Sequence, residues 1–458
     1  MDLPRKPLFT NKQLIALVIP IFMEQMLGIL VGLVDGLMVS SVGEAAISGV
    51  SLVGNVSTVL LNLATSLAAG GAIVASQFLG AGRKRDAQRA MGHLLTMTVG
   101  AGVIVMALCL AFNRPLLTLF FGHVEKDVMD TSVNYFAWLS LSYPFLTMIT
   151  AGAAILRVKR NTKVSFYVSI IRNVVNIIGN AILIYWCKMG AEGAAIATAI
   201  SRVVGAATIL MVVFGKKQEM RPTWSDIFHI DFKLMARVTR VGLPTGIENS
   251  MFQLGRLLTL SMISGFGTFQ IAANTTAGAL TNIVVTISTA TRTALLTVIG
   301  QCVGARDNDQ IQQNYRKGLI FGYIAHGVGA ILFVVFRYQL LGLYDSLEPD
   351  TIALAAKLMC IHLIPAIFLY PVAFQIPSCL RAANDSAFVM WVSILSMAIF
   401  RLTLAWLLCV HFGWGAPGVY AAMVVDWVCR SICYLWRWHS GAWKKKCGLA
   451  APKSEVTT

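Results

Sequence analysis

Twelve stretches of this chain are predominantly apolar and, at roughly 20 residues or more, long enough to cross about 30 Å of hydrocarbon as α-helix. They fall at 14–40, 46–78, 91–112, 131–156, 165–187, 191–214, 238–264, 268–303, 316–336, 350–379, 387–410 and 415–437. Lipid offers the backbone no hydrogen bonds, so a spanning segment must pair its own amides, and the ten-residue alternation of a membrane barrel is missing. The pattern predicts an all-α polytopic membrane protein of 12 transmembrane helices. Composition agrees: 57% of the 458 residues are apolar and 13% charged, about half the charge of a soluble domain, with a mean hydropathy of +0.70. Soluble enzymes, disordered scaffolds and collagen-like chains are excluded. The opening MDLPRKPLFTNK has the charge of a signal-peptide n-region, but the apolar run behind it is about 25 residues long and lacks a small-residue cleavage site, so it is read as a retained span.

The net charge of +16 comes from 37 Lys+Arg against 21 Asp+Glu. These cations sit between apolar blocks rather than in one patch, so no nucleic-acid partner is expected. With the N-terminus placed in the cytoplasm, the inward loops hold 26 Lys/Arg and the outward loops five: Arg114, Lys126, Lys188, Arg337 and Lys357. By the positive-inside rule both termini are expected in the cytoplasm, and the Lys444–Lys446 run needs only that rule or anionic-lipid contact. Nine cysteines, nearly all within apolar runs, show neither C-x-x-C nor zinc-ligand spacing, so no disulfide framework, metal site or cofactor is expected.

The two halves repeat at an offset of 224: Pro20 falls on Pro244, Glu24 on Glu248, Gly43 on Gly267, Gln77 on Gln301 and Leu156–Arg157 on Leu380–Arg381. After one inserted residue, GAEG at 190–193 meets GAPG at 415–418. The domains expected are a six-helix bundle over 1–214, a basic linker over 215–237, a second bundle over 238–440 and a basic cytoplasmic tail over 441–458. Six is even, so the copies share an orientation, with a pseudo-two-fold axis along the membrane normal. Paired bundles suit alternating access, whereas a channel favours a symmetric ring with a charged pore. GAGRKR at 80–85 lacks the GK[ST] ending of a phosphate-binding loop, and no catalytic motif appears, so the chain is not expected to be an enzyme.

Polar groups at bilayer depth cost at least about 2.5–3.5 kcal/mol each when charged, and so call for a role or a partner. Asp35 stands in the first span, on one helical face with Glu24, Gly28 and Val31. No Lys or Arg of the first bundle is expected at its depth, which leaves a structural salt bridge as the weaker alternative. Asn173, Asn176 and Asn180 share a face of the fifth span and Thr198 lies on the sixth. Neutral oxygens beside one carboxylate suit a monovalent ion or a protonated acid, while helix-to-helix hydrogen bonding remains the alternative. A second stripe, Asn55, Thr58, Asn62 and Thr65, is expected to face the same interior. Glu24 and Glu248, each four residues after a proline, would attract organic cations to a central cleft, or else hydrogen-bond around the proline kink. In the second bundle Thr259 replaces Asp35, and Arg256, Arg401 and Asp426 are expected to form a buried ion network, with substrate charge selection as the alternative.

These residues resemble the multidrug and toxic compound extrusion (MATE) transporters over essentially the whole chain. The resemblance rests on Pro20 with Asp35 in LVDGLMVS, the GEAAISGVSL turn, SQFLGAG ending span two, LRVKRNT after span four, and Asn176 and Asn180 ahead of GAEGAAIAT. It implies a V-shaped pair of bundles exporting cationic or amphipathic drugs by Na+ or H+ antiport, from a bacterial plasma (inner) membrane and as a monomer. Asp35, Asn176, Asn180 and Thr198 are then the ion-coupling residues, and Glu24, Gln25, Glu248 and Tyr370 the substrate-binding ones. Asn180 stands where many members have aspartate. The NorM branch has acids where this chain has Phe252 and Tyr370, so coupling is expected to rest on the N-terminal bundle. Two other readings are a flippase for lipid-linked precursors on the same fold, suggested by Arg256, Arg292 and Arg401, and a membrane enzyme or channel, disfavoured by the duplication.

Overall fold

The computed structural model describes residues 8–122, 125–215, 220–228, 231–344 and 347–449. Arg5, Lys6, Lys216, Lys217 and Lys453, counted above in the loop charge, lie outside them. The described residues form helices and turns, with no strand among them. The first half runs α1 (Asn11–Ser40), α2 (Glu44–Gly80), α3 (Lys84–Ala111), α4 (Asn113–Phe121), α5 (Lys126–Leu141), α6 (Tyr143–Val158), α7 (Thr162–Asn180) and α8 (Gly190–Phe214). A short α9 (Trp224–Phe228) follows, then α10 (Phe232–Ser264), α11 (Thr268–Gly304), α12 (Asn308–Val335), α13 (Arg337–Leu341), α14 (Pro349–Ala382), α15 (Ser386–Ser396), α16 (Leu404–Trp406) and α17 (Ala416–His439).

Among the described residues, ten helices are long and apolar enough to span a bilayer, and α5 with α6, bent by 46°, makes an eleventh. The unbroken span expected at 131–156 is therefore two helices. They meet at Ser142, two residues before Pro144, which has no N–H to carry the ladder through the junction. The twelfth expected span is α10, a helix of 33 residues; Glu248, Asn249, Gln253 and Arg256 keep it below the apolarity of the others. The burial pattern is that of a protein solvated by lipid. Trp186, Leu119 and Leu37 are 85%, 79% and 72% exposed, while Asn173, Asn176, Asn180 and Asp426 are buried.

The duplication is written in the backbone. Left-handed φ angles recur at Gly43 and Gly267, Gly82 and Arg306, and Arg160 and Asn384, each pair 224 residues apart, and at Lys188 and Gly413, and Gly190 and Gly415, each 225 apart. The inserted residue between these sets is accommodated by a widened i→i+5 turn at Met397–Thr403, since such a bulge takes up one extra residue within a helix. A second widened turn at Leu407–His411 matches Ala181–Trp186 of the first half.

The chain divides into two compact units. One comprises Lys12–Ala75 and Lys84–Leu254, the other Met1–Asn11, Ser76–Arg83 and Gly255–Thr458. In the first, Gly242 and Gly246 of α10 lie against Ser66 and Gly70 of α2 so closely that a Cβ at Gly70 would meet the Gly242 backbone at 2.7 Å; small residues four apart are what let membrane helices approach. Within the linker, α9 docks on α3 of this unit. Asp226 of α9 receives both Arg85 nitrogens at 2.8 and 2.9 Å and the Thr223 hydroxyl at 2.6 Å. Burial pushes the Asp226 carboxyl up, but the bonds from Thr223 and Arg85 outweigh it and hold the group below the usual carboxylate range. In the second unit, Gly80 and Gly304 cross reciprocally, each placed where a Cβ would strike the other helix's backbone at Gln301 and Gln77. Gln77 also donates from Nε2 to the Ala382 carbonyl at 2.8 Å.

Candidate functional site

The site is built where α1 and α7 run side by side, joined by polar rungs. Pro20 has no N–H, which releases the Ala16 carbonyl from the α1 ladder. The Thr162 hydroxyl, at the start of α7, donates to that carbonyl at 3.3 Å. Farther along, Ser165 donates to Glu24 Oε2 at 3.0 Å. The last rung is Asp35, whose Oδ1 accepts from Asn180 Nδ2 at 2.7 Å. The Asn176 amide is assigned with its NH2 toward Asp35, donating to both carboxylate oxygens at 3.0 Å, because the opposite assignment would set oxygen against oxygen. Its oxygen then faces the Thr198 hydroxyl, 3.3 Å away. Asn180 Oδ1 is buried without a hydrogen-bond partner among the described residues.

Asp35, Asn176, Asn180 and Thr198 therefore come together. Two amide NH2 groups hold the carboxylate, and the oxygens of Asn176, Asn180 and Thr198 lie behind them; rotation of either amide would offer its oxygen to a monovalent cation or to a protonated Asp35. Asn180 is the last α-helical residue before the widened turn at Ala181–Trp186, a distortion that re-aims side chains and recurs at functional sites. No Lys or Arg of this bundle is expected at the depth of Asp35, yet one in α7 couples to it from about two turns away. Arg172 of α7 is within electrostatic reach of both Asp35 and Glu24, and donates to the Asn173 amide oxygen from Nε at 3.3 Å and Nη2 at 3.1 Å. The signal was present, since arginine inside an apolar run is a functional pointer in its own right. Of the stripe on α2, Asn55, Asn62 and Thr65 are partly buried while Thr58 is exposed and bonds back to Gly54; Ser57, off that stripe, meets Tyr143 at 2.6 Å in the interior.

Of the other residues singled out, Gln25 is partly buried beside Glu24, and Glu248 is buried on α10. Tyr370 belongs to the second unit, 5% exposed, stacked between His326 and Phe374 at 4.7 and 4.1 Å. That unit also holds the ion network. Asp426 Oδ1 accepts from Ser396 at 2.6 Å and Arg430 Nε at 2.9 Å, with Arg401 at 4.0 Å from Oδ2. Arg430 was not anticipated, although its i+4 spacing from Asp426 is plain. Arg256 is exposed.

A family model described as MatE matches residues 20–182 and again 244–407. The chain belongs to the MatE family. The two matches start 224 residues apart and end 225 apart, the repeat and its single insertion. MatE proteins are transporters, so the chain is a multi-pass membrane transporter and not an enzyme. It is 26% identical to an uncharacterized transporter, YisQ, of Bacillus subtilis (strain 168), with 97% of this chain and 98% of the relative covered. It is 24% identical to a probable multidrug resistance protein, NorM, of Thermotoga maritima, over 96% and 94% of the two chains. A MATE crystal structure in the bent conformation superposes with a TM-score of 0.87 at 20% identity, covering 96% of this chain and 97% of that one. The all-helical fold is thus a MatE fold.

Proposed function

We propose that this MatE protein is a secondary active multidrug exporter, moving organic cations or amphipathic drugs out of the cell by antiport with Na+ or H+ through alternating access. The observation that carries the reading is the half-buried Asp35 in α1, hydrogen-bonded by Asn180 and facing Asn176 and Thr198. A lone carboxylate held by two amides that can present either N–H or oxygen takes up one proton or small cation and releases it when its partners shift. Relatives named as multidrug resistance proteins support the same reading. Both termini face the cytoplasm, as the loop charges indicate, so Glu24 lies just on the cytoplasmic side of the middle of α1 and Asp35 in its outer half. The working unit is a monomer.

The test is export of a fluorescent organic cation from proteoliposomes, under a sodium gradient and then a proton gradient, with wild type and Asp35→Asn. One gradient drives export by the wild type, and the variant, folded, loses the drive. Indifference of export to both gradients, or of Asp35→Asn to the effective one, refutes antiport at this site.

A further inference from the structure

When every Lys and Arg of the loops has been counted, six basic residues remain, and all are arginines: 172, 202, 256, 292, 401 and 430. Two share the unit of Asp35. Arg202 is anchored, donating from Nη1 to Ser142 Oγ at 2.7 Å at the α5–α6 break. Arg172 is held only lightly, by the amide oxygen of its own neighbour Asn173. Its stem lies over Gly205 of α8, where an added Cβ would stand 3.3 Å from the Arg172 Cγ.

Arg172 also stands between the two acids of α1. At 1.5 Å rise per residue it lies about 10 Å beyond Ser165, the partner of Glu24, and about 12 Å short of Asn180, the partner of Asp35. Asn176, which also holds Asp35, is only about 6 Å beyond Arg172, so the long arginine stem can lean toward either carboxylate but cannot bridge both. The repeat supplies a contrast. At offsets of 224 and 225, Arg172 corresponds to Ser396 and Gly205 to Arg430. In the second unit the guanidinium comes from the opposite helix and is locked to Asp426, four residues before it. The position matching Asp426 is Ser201, so the first unit supplies Arg172 with no such fixed acid.

We propose that Arg172 is a tethered cation that makes occupancy of Asp35 and Glu24 mutually exclusive, pairing with whichever carboxylate holds no mobile cation. This rests on the antiport reading above. A coupling ion on Asp35 leaves Arg172 with Glu24 as its remaining acid, and its guanidinium displaces an organic cation there. When the ion leaves, Arg172 returns toward Asp35 and Glu24 is released to bind substrate. The surrounding charges favour exchange over joint binding. Arg157 of α6 acts electrostatically on Glu24 as Arg172 does on both acids, and Arg202 lies near Arg172 beside Tyr135 and Tyr143, so two guanidiniums already bear on the two carboxylates and oppose a second mobile cation.

Arg172 acts through the two acids, so the readout is the linkage between ligands. The full-length protein in lipid nanodiscs is titrated with ethidium at varied Na+ and varied pH. For the wild type, the apparent Kd of ethidium rises about 10-fold as the coupling ion saturates. Arg172→Gln and Arg172→Met, the latter keeping an apolar stem over Gly205, each reduce the rise to less than about 2-fold while still binding ethidium in ion-free buffer. Arg172→Lys restores most of it. Neutral variants that retain the full rise, or a lysine variant no better than glutamine, overturn the proposal. If Asp35→Asn abolishes the rise while Arg172→Gln keeps it, the role of Arg172 falls and antiport stands. If the wild type shows no rise with either ion, antiport itself falls and the Arg172 role with it.

Discussion

Replacing Asp426 by asparagine tests whether the polar interior of the second unit is a structural ion network. Asp426 and Arg430 are 0% and 1% exposed, and the carboxylate accepts from Ser396 and Arg430 at 2.6 and 2.9 Å while facing Arg401 at 4.0 Å. Asparagine keeps the shape and one acceptor for Ser396 but removes the charge that both guanidiniums face. Breaking a buried pair from one side costs about 3–5 kcal/mol, because the surviving ion stays desolvated. At about 2–4 °C per kcal/mol for a unit of about 200 residues, the melting midpoint should fall by roughly 6–20 °C. The assay is size-exclusion recovery of fluorescently tagged protein after heating, with folded yield from the same membranes. The double variant Asp426→Asn with Arg430→Gln removes both members of the pair and should recover part of the loss, giving a favourable coupling in the double-mutant cycle. An Asp426→Asn protein with wild-type yield and a midpoint within about 2 °C would refute the reasoning, and an altered substrate range in it would point to charge selection instead.

Three further perturbations follow from local geometry. Gly80→Ala or Gly304→Ala sets a methyl group against backbone on the crossing helix, which cannot rotate aside, so each should cost about 1–3 kcal/mol in the same thermal assay; wild-type stability would contradict the crossing. Thr162→Val removes the donor to the Ala16 carbonyl freed by Pro20, with an expected loss of about 1 kcal/mol, which Thr162→Ser should largely restore. Asp226 holds its proton less tightly than an unfolded carboxyl, whose pKa is about 3.9, so its contribution to linker docking is complete at neutral pH and fades only as pH falls through the lowered value. Proteolysis between Phe214 and Trp224 should therefore stay slow down to about pH 4, and Asp226→Asn should speed it at neutral pH; a variant cut no faster than wild type would dismiss the pin.

The spans were legible because lipid imposes a length and an apolarity that few other demands mimic. Where the reading failed, a local rule overrode the apolar run. Pro144 breaks the run at 131–156, and the widened turns within 181–186 and 397–411 leave no mark in hydropathy because their residues are as apolar as those around them. Asp35 with Asn176 and Asn180 was legible for the opposite reason: polar atoms in lipid are costly enough that a stripe of them implies partners.

Arg172 and Arg430 were harder to read, and the reason lies in how the halves diverged. Matching positions one by one shows Arg172 against Ser396 and Gly205 against Arg430, which looks like two unrelated losses of likeness. In space they are one exchange across a helix pair, large residue for small on one side and small for large on the other, which conserves volume and keeps one guanidinium at each junction. What did not carry over is the acid: Asp426 answers to Ser201. A duplicated bundle that keeps the cation but drops its fixed counter-charge leaves that cation to the nearest other acids. In the first unit these are Glu24 and Asp35, both electrostatically coupled to Arg172. The asymmetry between the halves thus lies in how tightly an arginine is held, and it separates a static ion pair in one unit from a movable charge beside the candidate coupling acid in the other.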